Sequence, residues 1–161
     1  MTRGESWASV GADELAFRLR TQTECDDPTA VSTSGLVAYL DGEPAGWCAV
    51  EARSHYPRLL LKTRVPWEGR AEDKADDTVW AVTCFVTRTG FRRRGIGRTL
   101  SRAAVDFARE RGARALEGYP TTAKTVISGE LHPGTRDMFV AAGFSEVSHP
   151  TLHRVVMRID F

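Results

Sequence analysis

Cysteine is scarce in this chain: Cys25, Cys48 and Cys84 lie far apart and form no Cys-x-x-Cys pair. An odd, scattered set excludes a disulfide framework and reads as reduced thiols in a reducing compartment. The four histidines, His55, His132, His149 and His153, show no metal-ligand spacing, so no metal is expected. No apolar run approaches the ~18 residues of a membrane span. The opening M-T-R-G-E-S-W-A lacks a secretory hydrophobic segment, so we expect a cytoplasmic protein without a membrane partner. A net charge of +1 argues against a nucleic-acid-binding domain, which carries a basic excess. Internal repeats and low-complexity tracts are absent as well. What remains is 161 residues with 42% hydrophobic and 27% charged content, the profile of one globular domain spanning residues 1–161.

The most informative stretch runs from Val79 to Gly112. Val79 to Val86 is apolar on both alternating faces, as in a central strand covered on both sides. From Ile96 the period changes. Leu100, Ala103, Ala104, Phe107 and Ala108 follow helical spacing, with Arg98, Arg102, Asp106, Arg109 and Glu110 on the other face. Gly112 is a natural stop.

Between strand and helix lies Arg92-Arg93-Arg94-Gly95-Ile96-Gly97. A helix start exposes unpaired N–H groups and carries roughly +0.5 elementary charge. Two glycines let an anion approach the backbone, and the arginines, with Arg98, add charge. This reads as a diphosphate cradle. A dinucleotide fingerprint fits less well, because Leu100 fills its third glycine position, although Glu117 sits near where a ribose-binding acid would fall. The nucleoside-triphosphate loop is absent. The plain alternative is a solvated arginine cluster in a chain with nineteen arginines and three lysines.

Elsewhere, Asp13 to Arg20 reads as a short helix and Thr21 to Ser34 as a loop. Leu36–Leu40 and Ala45–Ala52 form a hairpin about Asp41-Gly42-Glu43-Pro44, with Trp47 and Cys48 as core residues. Arg53 to Thr78 is a long irregular stretch with a helical turn near Tyr56–Leu61. Its acids Glu68, Glu72, Asp73, Asp76 and Asp77 would favour a cationic acceptor if the stretch lined a site. Arg114 to Tyr119 is a strand. Thr135 caps a short helix that ends at Gly143, and Phe144–Val147 with His153–Ile159 make a closing antiparallel pair. The sum is an α+β fold, a central mixed β-sheet flanked by helices.

Arg92-x-x-Gly95-x-Gly97, after an apolar strand and opening a helix, resembles the acetyl-CoA signature of the Gcn5-related N-acetyltransferases (GNAT). Ala115–Pro120 resembles that family's next strand, and Met138–Phe144 its fourth helix ending in Gly-Phe. The resemblance covers Val79 to Phe161. It implies the acyl-CoA N-acyltransferase fold, in which the central strand and the next one splay apart to admit coenzyme A. A strand that usually precedes the first helix is not visible in the sequence.

The resemblance also implies a function: transfer of an acetyl group from acetyl-CoA to a small-molecule or peptide amine, by direct attack and without a metal. Main-chain N–H groups of Cys84, Phe85 and Val86 would pair with the pantetheine arm, and residues Arg92, Arg93, Arg94, Gly95, Ile96, Gly97 and Arg98 would hold the diphosphate. Phe139 stands where many members carry a proton-donating tyrosine, so it would pack against the cofactor. Tyr119, Ser128 and His132 become the candidate acids. The central strand holds no carboxylate, which makes Glu117 the first candidate base, followed by Glu51, Asp77, Glu130 and a water relay. The competing class is an acyl-CoA sensor without turnover. A homodimer is common in the family.

Overall fold

The computed structural model describes residues 35–122 and 132–161, together with Gly11, Asp13, Glu14 and Phe17. The chain divides into two units, Met1–Ser34 and Gly35–Phe161. In the first, Asp13, Glu14 and Phe17 are helical, within the span expected to be a helix. The rest of that helix, the Thr21–Ser34 loop and the missing first strand lie outside the described residues. All that follows concerns the second unit.

Asp41 and Gly42 both take positive φ, 53° and 80°, the geometry of a two-residue turn that matches strand twist. They join β1 (Gly35–Leu40) to β2 (Glu43–Ala52), a tighter turn than the four residues expected, with Pro44 inside the second strand. The chain then makes a 3-10 turn, Arg53–His55, and a short helix, α1 (Pro57–Lys62), opened by proline at its first position. Next come β3 (Val79–Thr87), α2 (Ile96–Glu110) and β4 (Ala115–Gly118). Helix α3 (Arg136–Ala141) follows, then β5 (Ser145–Thr151) and β6 (Arg154–Asp160). Thr135 caps α3 as its sequence suggested: its hydroxyl oxygen accepts from the Met138 N–H at 3.4 Å.

The six strands form one mixed sheet in the order β1-β2-β3-β4-β6-β5. The β3–β4 pair is parallel and the rest are antiparallel. One face packs under α2 and α3, where Val82, Leu100, Ala104, Phe107, Leu116, Phe139 and Met157 are among the buried apolar residues. The other face carries Ala81, Tyr119 and Val156 beneath Leu59 of α1.

Two local features shape the centre of the sheet. Ala49 faces Cys84 while its neighbour Val50 faces Val82, so Thr83 has no partner on β2 and forms a β-bulge in β3. Strands β3 and β4 stay paired only from Val79/Ala115 to Val82/Gly118. Beyond that row β3 runs on to Thr87 and β4 ends, which leaves a fork.

Gly118 sits at the crotch of that fork. A Cβ there would run into the Phe139 ring, so the absence of a side chain lets α3 close onto the sheet. Phe139 is wholly buried and meets Phe85 and Phe144 edge-on, with ring centroids 5.9 and 5.0 Å away. Truncating such a ring to alanine costs roughly 3–5 kcal/mol.

Candidate active site

The cradle is built by backbone conformation. After β3 a 3-10 turn (Thr89–Phe91) carries the chain outward, Arg93 adopts φ 61° and Gly95 φ 80°, and α2 begins at Ile96. The first helical bond described at this end is Thr99 N–H to the Gly95 carbonyl, 3.1 Å. Amides ahead of it have no intrahelical partner, no side chain caps them, and the first turn holds no acid. A hollow of about 390 Å³ opens over this end, lined by Thr87, Arg92, Arg93, Gly95, Ile96, Gly97, Arg98 and Met138.

Within the cradle the residues divide. Arg92, Arg93, Arg94 and Arg98 are exposed. Gly95 has open space where a Cβ would stand. Gly97 does not: a Cβ there would lie 2.9 Å from Met138 Cε, so this glycine also sets how closely α2 and α3 approach. The Ile96 side chain belongs to the core, leaving its main chain to the cradle.

The fork shows which strand amides are available. The Phe85 N–H points away from β2 and donates to the His132 carbonyl at 2.6 Å. In a regular strand the N–H groups alternate, which turns those of Cys84 and Val86 toward β2. Of the three amides expected to meet a cofactor arm, that of Phe85 faces the fork and those of Cys84 and Val86 face β2. The Thr87 amide falls on the same side as that of Phe85, and Thr87 lines the hollow. Sequence alone does not give the register that decides between alternate residues.

Glu117 occupies a different setting from the one expected of a base. It is fully buried, and Arg53 Nη1 donates to its Oε2 at 3.1 Å. Arg70 Nη2 donates to Oε1 at 2.5 Å, Arg158 Nη1 to Oε1 at 2.9 Å, and the Tyr119 hydroxyl to Oε2 at 2.9 Å. Burial pushes its pKa up, but the arginine hydrogen bonds and charges outweigh that and hold the carboxyl below its ordinary range. A carboxylate saturated by four donors and kept ionised is a poor proton acceptor. Glu72 completes the cluster, binding Arg70 at 2.9 Å and Arg53 at 3.0 Å. The group pins residues 70–73 to β4 and β6.

The candidate acids fare unevenly. Tyr119 is buried with its hydroxyl committed to Glu117, and burial followed by that carboxylate's charge raises its pKa well above 10.0. The His132 side chain is exposed while its carbonyl serves Phe85. Ser128 and the lesser base candidate Glu130 lie outside the described residues. Phe139 is enclosed by core rings, so it packs the interior and does not face the hollow.

The remaining carboxylates separate clearly. Asp77 is exposed. Glu51 lies directly across from Ala81, which in turn faces Glu117, so the three form one row across the sheet just below the fork. The Glu51 carboxylate lies 2.8 Å from His55 Nδ1. The acidity expected of the 53–78 stretch is largely neutralised: Glu68 pairs with Arg64, Glu72 with Arg53 and Arg70, and Asp76 with Arg114. Among the described residues no group of three or more His, Cys, Asp or Glu could hold a metal ion. None of the described helices is long and apolar enough to cross a membrane.

A mixed sheet forked at its parallel pair, with an uncapped helix start beside the opening, matches the fold of GNAT acetyltransferases. The chain belongs to the acetyltransferase (GNAT) family, whose model matches residues 5–125. Solved structures agree on the fold. A ribosomal-protein-alanine N-acetyltransferase from Brucella melitensis superposes with a TM-score of 0.55 at 16% identity, covering 94% of this chain and 80% of its own. Ard1 from Thermoplasma volcanium gives 0.52 at 14% identity, covering 99% and 82%. An aminoglycoside acetyltransferase in complex with coenzyme A gives 0.50 at 19% identity, covering 77% and 64%. Among curated proteins, none matches the chain.

Proposed function

We propose that the protein is an acetyl-CoA-dependent N-acetyltransferase acting on a primary amine by direct attack on the thioester. The observation that carries this reading is the start of α2: left-handed Gly95, no capping side chain, no acid in the first turn and exposed arginines around the hollow. Such an end suits two linked phosphates. Family membership and the coenzyme A held by one structural relative support the same ligand. When bound, acetyl-CoA supplies an acyl group activated as a thioester.

The chain's own contributions follow from the fork. The Phe85 N–H faces into the fork, away from β2, and a thioester oxygen brought against it would have its developing negative charge stabilised. An acceptor ammonium with a pKa near ~10.4 must first lose a proton. We assign that proton to the Glu51–His55 pair, which borders the fork and has solvent access. The new C–N bond forms as the C–S bond breaks; the nitrogen sheds its second proton to water, and the thiolate takes a proton from water, since Phe139 has none to give. Structural relatives named for a ribosomal-protein alanine and for aminoglycosides support an amine as acceptor class. The reduced thiols Cys48 and Cys84 suit a cytoplasmic setting.

Calorimetry with acetyl-CoA and coenzyme A tests the cradle, and absence of affinity for either overturns the reading. Thiol release with a pooled amine library tests turnover. The enclosed Phe139 and the committed Glu117 favour one second reading, an acyl-CoA sensor, which predicts binding without thiol release under any amine.

A further inference from the structure

We propose that residues 132–135 form a strap that fills the fork in the free protein and must leave the Phe85 amide before the thioester end of acetyl-CoA can settle there. The inference rests on the acetyl-CoA reading above and concerns how that site is controlled. Phe85 offers one N–H, and the His132 carbonyl holds it at 2.6 Å. A single hydrogen serves one acceptor well, so a thioester oxygen and the His132 oxygen compete for it.

The strap is seated by its sequence. Pro133 and Gly134 are buried. Gly134 has φ 84°, and a Cβ there would stand 3.0 Å from the Phe139 ring and 3.2 Å from the Phe85 ring. Any side chain there would be strained by that φ and would push the two rings back by a few tenths of an ångström. The far end is anchored, because Thr135 caps α3 and forms a bridge with Thr121. Release is thus confined to the turn around Gly134, while α3 stays docked. Apparent affinity for the ligand is then the intrinsic affinity reduced by the fraction of molecules with the strap open.

The test is made on uniformly labelled full-length protein. The scalar coupling across the hydrogen bond from the Phe85 nitrogen to the His132 carbonyl carbon is measured free and with acetyl-CoA at a saturation set by calorimetry. The coupling is expected in the free protein and lost in the complex. Its persistence in a saturated complex overturns the strap and leaves the cradle standing, whereas a lack of acetyl-CoA binding removes cradle and strap together. As a second readout, Gly134→Ala unseats the strap and is expected to tighten acetyl-CoA binding about fivefold. Weaker binding by a folded Gly134→Ala protein counts against the proposal, and the wild-type coupling decides it if that variant fails to fold.

Discussion

Arg53 and Glu117, separated by 64 positions in the chain, meet with both side chains wholly enclosed, guanidinium Nη1 to carboxylate Oε2 at 3.1 Å. The pair is the centre of a cluster of three arginines and two glutamates that joins the end of β2 to β4, β6 and residues 70–73. Each ion in it relies on the others for the solvation that water no longer provides.

Glu117→Gln therefore leaves Arg53, Arg70 and Arg158 with Glu72 as the remaining carboxylate inside the cluster. Unfolding by urea should show a loss of about 3–5 kcal/mol, the usual cost of breaking a buried ion pair from one side. Below its melting temperature the variant should keep the wild-type pH profile of turnover. A lost limb of that profile would restore Glu117 as the base.

Stability should form a plateau bounded by pH on both sides. Glu117 is held below its ordinary 4.5, and Asp76 is lowered from 3.8 to about 2, first by the Thr78 hydroxyl and then by Arg114. Groups with depressed values stabilise the fold above their unfolded pKa, and that stability is lost as pH falls through the folded one. Cys48 moves the other way, pushed by burial from 9.0 up to about 12, and Tyr119 rises well above 10.0. Their contribution is intact below the unfolded values and fades as pH climbs past 9. Melting curves against pH check this, and Asp76→Asn should flatten the acid side between pH 4 and 2.

At the crotch of the fork, Gly118→Ala forces its new methyl into Phe139. We expect a loss of about 1–3 kcal/mol, partly recovered by adding Phe139→Leu, a coupling that a double-mutant cycle measures. Phe139→Tyr restores the family's hydroxyl without restoring its role. The ring edge that would carry it faces Gly118, so a buried, unpaired hydroxyl should cost roughly 1–3 kcal/mol and leave turnover no faster.

The two cradle glycines should separate experimentally. Gly95→Ala meets no atom but must hold φ 80°, a strain of about 1–2 kcal/mol placed at the anion site. Coenzyme A affinity should fall at least about tenfold, the equivalent of 1.4 kcal/mol, with α3 undisturbed. Gly97→Ala presses on Met138 and should perturb the α2–α3 contact as well, seen as a lower melting temperature that Met138→Ala relieves.

Features with local causes were legible in the sequence. The Asp41-Gly42 turn, the Thr135 cap and the glycine-arginine helix start each depend on a few adjacent residues. The fate of Glu117 was not, because Arg53, Arg70 and Arg158 lie 64, 47 and 41 positions away and leave no periodic trace. Nor was the direction of the Cys84, Phe85 and Val86 amides, which depends on strand register. Phe139 looked like a cofactor contact by its position in a motif, yet its environment comes from Phe85, Phe144 and Gly118, all supplied by other segments.

The unpartnered Thr83 also works as a frame-keeper. It lets Val82 and Phe85 share the face under α2 and α3 although they stand an odd number of positions apart. Deleting Thr83 would leave Val82 and Phe85 two positions apart, the spacing at which a regular strand keeps both on one face, so β3 could straighten with Phe85 still in its aromatic cluster. A single deletion at Thr83 should therefore be tolerated, whereas one residue lost elsewhere in β3 should turn every later side chain to the wrong face.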